Sequence, residues 1–498
     1  MIMLAPGGPS MRTLATRTAR AALGLCLTAA ACGQSQPNLS GQGGAGGGSD
    51  GSGGESATSS GDTTSSSSSG SGTASSSSSS GGTTSSSSSG VDTTSSSSSG
   101  TGPDDTPVEN ASADCEVAAL PEASALPKVS KLPDPFTKLD GTSVSTKAEW
   151  HCRRQEIRKQ AEKYIYGEKP TPDVVTGTVT ENKISVHVEA QGKKIDFSAD
   201  IVLPSKGEAP FPAIINVGGK GGFGGITLGE SRILDQGVAV IYYNHNEIGR
   251  EGTAEQSRGK PNPGKFYDIY GGDHSAGLLM AWAWGASRIL DVIQASGGDI
   301  IDPTGIGVTG CSRNGKGAFA IGVFDDRIAL TIPHETSTAG VPAYRIADVL
   351  GKERTDHNYF GLNWLSNNFE PFVFKNNASN AVKLPIDTHA LIAMMAPRGL
   401  LVLENPHQAQ MGAPAGHTAT AAGAAVYKAL GVEKNVSYHS KVAETAHCSY
   451  KNEYTDVLAK SIARFLKHEG EAPGEFVVGS GGSLSMADWV DWQAPTLE

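Results

Sequence analysis

The sequence has no excess of basic residues. Among 498 residues, 40 lysines and arginines stand against 51 aspartates and glutamates, which gives a formal net charge of -11 at pH 7. Because nucleic-acid-binding domains carry a basic surface, this balance argues against nucleic acid as a partner. It is typical of a soluble, mildly acidic protein.

Long apolar runs and cofactor motifs are also lacking. After residue 32 no apolar run is long enough to span a bilayer. No group of His, Cys and acidic residues has the spacing of a metal site. The run VGGKGGFGG at 217–225 lacks the spacing and the terminal Lys-Ser/Thr of a phosphate-binding loop. We therefore predict neither a metal nor another cofactor.

The N-terminal residues 1–32 have the layout of an export signal. Arg12, Arg17 and Arg20 precede the apolar run AALGLCLTAAAC, which is a basic head followed by a short hydrophobic core. Cys32 ends this run and is a candidate for lipidation, as in bacterial lipoproteins, although such signals usually have leucine where Ala29 stands. A secreted form and a cell-surface lipoprotein, in contact with the membrane only through its lipid, are both compatible with this signal.

Residues 33–106 are predicted to be a disordered linker. Most of this segment is serine, glycine and threonine, with TTSSSSSG repeated. Such a chain has too little apolar surface to offset the entropy of ordering. The folded part is therefore expected at residues 107–498.

The pattern of the folded part predicts an α/β domain. Strands are expected at KISVHVEA, KIDFSADIVLP, FPAIINVGG, GVAVIYYN, GIGVTG, IALTIP and GLLVLEN. Apolar residues recur at helical spacing in GLLMAWAWGASRILDVIQAS, SRNGKGAFAIGVFD and ATAAGAAVYKALG. Alternating strands and helices predict a mostly parallel, doubly wound sheet that binds ligands beyond the carboxyl ends of its strands.

Ser312 lies between an expected strand and an expected helix. Gly310, Ser312 and Gly315 form G-x-S-x-x-G, one residue longer than the turn on which α/β-hydrolases expose a nucleophilic serine. By itself the pattern suits a helix-capping serine at least as well. The flanking strand and helix favour a nucleophile, because the hydroxyl would lie at a helix N-terminus, where negative charge is stabilised.

A nucleophilic serine needs a base, and His447 is the candidate. Hydrolases of this fold supply the residues in the order Ser, acid, His. Cys311 directly precedes Ser312, and Cys448 directly follows His447. A disulfide between these cysteines would bring their Cα atoms to about 5.5 Å and hold the serine and the histidine close together. The alternative is that both cysteines are buried free thiols.

Two glutamates are candidates for the acid. Glu335 ends the strand-like IALTIPHE, and Glu404 ends GLLVLE. Because the acid usually follows the penultimate strand of such sheets, the pattern alone favours Glu404.

These motifs together resemble the glucuronoyl esterases of carbohydrate esterase family 15. The resemblance is carried by VTGCSRNGKGAF, DRIALTIPHET, LPIDTHALIAMMAPRGLLVLEN, AHCSY, GKFYDIYGGDHSAGLLMAWAWGASRILD and LPDPFTKLDG. It covers nearly all of residues 112–495, and the chain is identified as a bacterial member. The family implies a single α/β-hydrolase domain that cleaves esters between glucuronic acid on xylan, often 4-O-methylated, and alcohols of lignin.

The resemblance also implies roles for the residues of the site. Ser312 becomes the nucleophile, His447 the base and Glu335 the acid, with Glu404 in reserve because some bacterial relatives place an acid after the later strand. Arg313 matches an arginine that helps form the oxyanion hole, where a cation stabilises developing negative charge. The alternative for Arg313 is a solvated helix residue.

The sugar-binding residues match the family less well. Lys316 lies one helical turn beyond Ser312 and matches the sugar-binding lysine. Fungal members have a tryptophan where this chain has Gln410, the sugar-contacting glutamine falls at Asn358, and a neighbouring glutamate falls near Gly361. We therefore expect ester hydrolysis to be preserved more closely than the contacts to the sugar.

Two disulfides follow from the resemblance, Cys311 with Cys448 at the active site and Cys115 with Cys152 in the N-terminal segment. The sequence thus predicts a monomeric serine esterase acting on glucuronoxylan–lignin esters. One rival is an acetyl or feruloyl xylan esterase, against which Lys316 with Arg313 argues, because both suit a polar uronoyl group. The other is a non-catalytic wall-binding module, which would not need a complete Ser-Glu-His set.

Overall fold

Strands and helices alternate along the chain. The strands form one sheet, and the helices cover both of its faces. The computed structural model describes residues 107–220, 227–252 and 262–498. The predicted leader with Cys32, the linker and most of the glycine-rich run lie outside the described residues. Within these ranges the strands are β1 Val174–Val179, β2 Lys183–Ala190, β3 Lys193–Val202, β4 Phe211–Val217, β5 Ala239–Tyr243, β6 Ile301–Cys311, β7 Leu330–His334, β8 Gly399–Leu403, β9 Val436–His439 and β10 Phe476–Val477.

The helices connect these strands and cover the sheet. They are α1 Lys147–Ala161, α2 Glu230–Leu234, α3 His245–Ile248, α4 Lys265–Tyr270, α5 Leu278–Ala295, α6 Arg313–Phe324, α7 Tyr344–Leu350, α8 Thr355–Gly361, α9 Thr388–Met394, α10 Ala413–Ala429 and α11 Thr455–Leu466. In the part of the chain that the structure describes, none of the helices combines the length and the apolar character needed to cross a membrane.

The strand order brings the predicted site residues to one edge. The sheet has the order β1-β2-β3-β5-β4-β6-β7-β8-β9-β10. Strands β1 to β3 are antiparallel, β3 pairs antiparallel with β5, and the pairs from β5 to β10 are parallel. This is the mostly parallel, doubly wound α/β-hydrolase sheet that was predicted. The carboxyl ends of β6, β7 and β8 therefore meet at the same edge.

Apolar side chains pack on both faces of the sheet. On one face Val217 of β4 belongs to the same buried cluster as Trp282 and Trp284 of α5. On the other, Leu403 of β8 clusters with Ile462 of α11. Both tryptophans are completely buried and pack in the core of this face. The central strands are thus shielded from water, as parallel strands require.

Helix α6 lies close to its neighbours because glycines face them. A Cβ atom at Gly322 would approach Thr331 Oγ1 of β7 to 2.1 Å, and one at Gly317 would approach Trp282 Cε3 to 3.0 Å. Larger residues would push the helix outward. This close packing fixes the position of the N-terminus of α6, which directly follows Ser312.

The segment before α1 is attached by a disulfide and by ion pairs. Cys115 is bonded to Cys152 of α1, with 5.3 Å between their Cα atoms, as the resemblance implied. Glu109 Oε1 lies 2.6 Å from Lys169 Nζ, and Glu109 also pairs with Arg288 of α5. The N-terminal segment is therefore part of the folded domain.

We expect the double substitution Cys115→Ser/Cys152→Ser to lower stability without removing activity. The bond joins residues 37 positions apart, and the entropy of closing such a loop corresponds to about 4 kcal/mol in the chain-entropy model. Urea unfolding of the two proteins measures the difference. An unchanged unfolding midpoint, or a loss of ester hydrolysis in the folded variant, would contradict the expectation.

Candidate active site

Ser312 lies on a strained turn between β6 and α6. Its φ is 59°, a left-handed value that non-glycine residues seldom adopt. The backbone N–H of Ser312 donates to the carbonyl of His334 at 2.9 Å, which holds the turn against β7. The hydroxyl does not cap α6. Ser312 is therefore not a helix-capping serine in this structure, and no capping hydrogen bond occupies its hydroxyl.

The glycines of the G-x-S-x-x-G motif are required by this turn. A Cβ atom at Gly310 would lie 2.4 Å from the carbonyl oxygen of Asn314, and one at Gly315 would lie 2.8 Å from that of His334. Both neighbours are backbone atoms, which cannot move without opening the turn. The motif is thus one residue longer than the usual one, but it forms the same kind of tight turn between a strand and a helix.

His447 contacts Glu335 at the carboxyl end of β7. The ring Nδ1 lies 2.5 Å from Glu335 Oε2, and the same oxygen accepts the backbone N–H of Cys448 at 3.1 Å. With Nδ1 donating to the carboxylate, Nε2 is the ring atom that can accept a proton. The imidazole side chain is about one-third exposed, whereas Glu335 is fully buried. This is the arrangement of an oriented general base.

The surroundings of Glu335 keep it ionised. Burial opposes the charged form, but hydrogen bonds from His334 and His447 and the charge of Lys451 outweigh it and hold the pKa of Glu335 well below its usual range. His334 Nε2 and Lys451 Nζ lie 3.1 Å and 3.4 Å from Oε1. A carboxylate that stays negative can stabilise an imidazolium.

Lys451 also supports the loop that carries His447. Its ammonium group is buried and donates to the carbonyl of Ala446 at 2.6 Å and to that of Ser449 at 3.0 Å. Sequence reasoning did not find this residue, because nothing in AHCSYK marks the lysine as different from a surface lysine.

A disulfide joins the turn of Ser312 to the loop of His447. Cys311 and Cys448 are bonded, and their Cα atoms lie 5.7 Å apart. The bond implied by the resemblance is therefore present, and the alternative of two free thiols is wrong for this structure. Each cysteine adjoins a candidate catalytic residue, so the bond limits how far these residues can separate.

Glu404 follows β8 and is completely buried. Burial, together with the nearby charge of Glu335, raises the pKa of Glu404 well above its ordinary value, which favours the neutral form of this carboxyl. His447 contacts Glu335 and not Glu404. The strand-position rule that favoured Glu404 thus disagrees with the geometry, whereas the resemblance agrees with it.

Arg313 is held by an acid from a distant loop. Its Nη1 donates to Glu251 Oε2 at 2.8 Å, and the other oxygen of Glu251 accepts the indole N–H of Trp364 at 2.7 Å. Arg313 thus forms an ion pair while its side chain remains 44% exposed, and its role in the oxyanion hole stays a prediction. Neither Glu251 nor Trp364 was found from the sequence, because no motif marks them and both are remote from Ser312 along the chain.

Lys316 is buried among polar side chains, and its charge site is close enough to Arg313 for the two to interact electrostatically. It is only 2% exposed, and its Nζ donates to Asn358 Oδ1 at 2.6 Å and lies 4.1 Å from the centre of the Trp364 ring. Burial lowers the pKa of Lys316 to about 8, although Glu353 at 3.4 Å favours the charged form. The structure thus brings together the predicted residues Lys316 and Asn358, with Trp364 as an additional wall.

Gln410 and Gly361 occupy the two remaining positions at which sugar contacts were considered. Gln410 is exposed and donates to Gln408 Oε1 at 2.9 Å, while Gly361 ends α8 and has no side chain to offer. Gln408 in turn donates to the carbonyl of Thr445 at 2.6 Å, so this loop lies beside the segment that carries His447. Gln410 is therefore a surface residue near the site rather than part of the pocket around Lys316.

An open cleft adjoins Arg313 and Glu251. It has a volume of about 660 Å³, and Arg313, Asn314, Asp200 and Lys220 contribute to its walls. Because the cleft opens to the surface, a bulky group attached to a reacting ester would have room there.

Comparison with known proteins identifies the family. The family model described as glucuronyl esterase, fungi, matches residues 186–431. The 4-O-methyl-glucuronoyl methylesterase of Thermothelomyces thermophilus is 41% identical over 377 residues, which cover 74% of this chain and 89% of that protein. That of Hypocrea jecorina is 36% identical over 386 residues, or 76% and 79% of the two chains. These relatives are fungal, so they support the family without supporting a bacterial member.

A solved structure gives the same result. The chain resembles a glucuronoyl esterase from Sporotrichum thermophile, solved as a serine-to-alanine mutant in complex with methyl 4-O-methyl-β-D-glucopyranuronate, with a TM-score of 0.67, 37% identity and coverage of 77% of this chain and 100% of that one. Identity and coverage of this size, together with the sheet and the arrangement around Ser312, show that this chain belongs to the glucuronoyl esterases of carbohydrate esterase family 15.

Proposed function

We propose that this protein is a serine esterase that hydrolyses esters of glucuronic acid and 4-O-methylglucuronic acid. The observation that carries the proposal is the 2.5 Å contact between His447 and Glu335, which the Cys311–Cys448 bond ties to the turn of Ser312. The names of the relatives support the substrate class. The ester bonds between glucuronoxylan and lignin alcohols are the natural substrates that we infer.

The reaction follows from the arrangement of these groups. Ser312 Oγ attacks the C6 carbonyl of the uronate while His447 Nε2 takes its proton, and Glu335 stabilises the imidazolium. Arg313 and backbone N–H groups stabilise the oxyanion of the tetrahedral intermediate. The alcohol leaves with the proton from His447. Water then attacks the acyl-enzyme with His447 again as base, and glucuronate is released.

The pocket beside Arg313 favours a uronoyl group over an acetyl group. Lys316 and Asn358 offer hydrogen bonds that match the hydroxyls of a sugar. An acetyl ester has no such hydroxyls, so it would gain none of these hydrogen bonds. The open cleft of about 660 Å³ beside Arg313 is suited to a bulky alcohol or a polysaccharide.

We also propose that the protein is exported and that residues 33–106 separate its leader from the esterase domain. The basic and apolar leader and the composition of the linker support this proposal. Lipidation of Cys32 would keep a bacterial protein at the cell surface. Detergent phase partition separates the two forms, because only the lipidated protein would enter the detergent phase.

Hydrolysis of benzyl and methyl glucuronate by residues 107–498 tests the proposed activity. We expect both uronate esters to be cleaved, with acetylated xylan and methyl ferulate cleaved far more slowly, because only uronates fill the pocket of Lys316. Ser312→Ala is the control and should reduce turnover by at least 10³-fold. Release of acetate with the uronate esters left intact would refute the substrate assignment.

Glu335→Gln and Glu404→Gln test which glutamate serves as the acid. Because Glu335 is ionised and contacts His447, its replacement should lower kcat by about 10³–10⁴-fold. Because burial favours the neutral form of Glu404, an amide of the same shape should leave kcat within about threefold of wild type. The two kcat values on methyl glucuronate decide the matter. A larger loss from Glu404→Gln would transfer the role to the later strand.

The lowered pKa of Lys316 predicts an alkaline limit to uronate hydrolysis. Lys316 is charged below a pKa of about 8 and neutral above it, so kcat/KM for methyl glucuronate should fall as the pH rises through this value. Lys316→Arg keeps its charge and should lack this limb. A small ester without a sugar, such as p-nitrophenyl acetate, provides the control. A flat kcat/KM for methyl glucuronate up to pH 9.5 would contradict the role of the lysine.

A further inference from the structure

Glu251 contacts both halves of the candidate site. One carboxylate oxygen accepts a hydrogen bond from Arg313 at 2.8 Å, and the other accepts one from the indole of Trp364 at 2.7 Å. Arg313 adjoins the nucleophile, and Trp364 forms a wall of the pocket around Lys316. A single side chain from the loop after α3 thus connects the groups proposed to stabilise the oxyanion with those proposed to bind the sugar.

Among the described residues, Glu251 is the hydrogen-bond partner of the Arg313 side chain. The side chain of Arg313 is 44% exposed, whereas that of Glu251 is 12% exposed. An exposed arginine samples many rotamers, but oxyanion stabilisation depends on donors that are in place before the charge develops. The charge-assisted bond to a mostly buried carboxylate selects one arrangement of the guanidinium.

On the other side, Glu251 fixes the plane of Trp364. The indole N–H can reach its acceptor in only one orientation of the ring, and the face of that ring lies 4.1 Å from Lys316 Nζ. Lys316 then donates to Asn358 at 2.6 Å. The contacts therefore run without interruption from Arg313 through Glu251 and Trp364 to the polar groups of the pocket.

We propose that Glu251 is a positioning residue that sets Arg313 and Trp364 together. A uronoyl group bound against Lys316 and Trp364 then meets a guanidinium already placed for the oxyanion. The carboxylate offsets part of the positive charge of Arg313, so its benefit lies in placement rather than in charge. The inference rests on the proposed function for the sugar contacts, but its effect on Arg313 applies to any ester that Ser312 attacks.

The test measures kcat and KM separately on two esters. Methyl glucuronate uses the whole site, whereas p-nitrophenyl acetate uses only Ser312, its base and the oxyanion groups. We expect Glu251→Ala to lower kcat at least tenfold on both esters and to raise KM at least threefold on methyl glucuronate alone. A merely structural residue would not divide its effect in this way.

Two further variants separate the two contacts. Trp364→Phe removes the indole N–H and leaves the bond to Arg313, so it should raise KM for methyl glucuronate and lower kcat on p-nitrophenyl acetate less than Glu251→Ala does. In the double variant Glu251→Ala/Trp364→Phe the two KM effects should not multiply, because both variants break the same contact. Glu251→Gln keeps one acceptor oxygen and should restore part of the loss.

The control is Glu471→Ala, which removes an exposed glutamate that pairs with Lys434 at 2.9 Å and should match wild type. Unchanged kcat on both esters in Glu251→Ala, or an increased kcat, would overturn the proposal. If Glu251→Ala does not fold, Glu251→Gln is decisive, and a loss in kcat below twofold on both esters overturns it. If wild type cleaves p-nitrophenyl acetate but not methyl glucuronate, the proposed function fails, while kcat on p-nitrophenyl acetate still tests Glu251.

Discussion

The active site depends on a covalent bond between two distant segments of the chain. Cys311 ends β6, Cys448 lies in the loop after β9, and they are 137 residues apart in sequence. The bond adjoins Ser312 on one side and His447 on the other. The other contacts of the proposed triad are local: Glu335 directly follows β7, which pairs with β6, and Lys451 donates to backbone carbonyls of the histidine loop. The disulfide thus restricts the position of His447, and bonds of this kind persist in the oxidising environment outside the cell.

The two glutamates show how environment assigns different roles to the same side chain. Both Glu335 and Glu404 end buried strands and are fully inaccessible to water. Glu335 has His334, His447 and Lys451 around it, so its negative charge is compensated. Glu404 is buried without such cations, and this burial together with the nearby charge of Glu335 raises its pKa well above the ordinary value. Two ionised carboxylates at this depth would repel each other, so the ionised form of Glu335 favours the protonated form of Glu404.

Much of this site could be predicted from short stretches of sequence, because the relevant physics is local. The G-x-S-x-x-G motif marks a tight strand-to-helix turn, and the cysteines that adjoin Ser312 and His447 point to their proximity. Strand alternation likewise predicted the parallel sheet. The choice of acid could not be made from strand position, because it depends on which carboxylate the histidine loop reaches. That is a property of long-range packing, and only the family resemblance carried information about it.

Glu251 and Trp364, which contact Arg313 and Lys316, were missed for the same reason. Glu251, Trp364 and Lys316 come from three separate segments, and none of them follows a motif that implies the others. The contacts among these residues bear on the position where fungal members have a tryptophan and this chain has Gln410. An aromatic ring, that of Trp364, does lie beside Lys316. One face of the ring lies against Lys316, and its N–H donates to Glu251. The ring therefore contacts two polar side chains of the protein. Charge-assisted hydrogen bonds contribute about 1.5–3 kcal/mol each, so under the proposed function these polar groups would recognise a sugar mainly through its hydroxyls. A pocket of this kind discriminates by hydroxyl pattern rather than by stacking, because each unmatched buried donor or acceptor reduces the binding free energy directly.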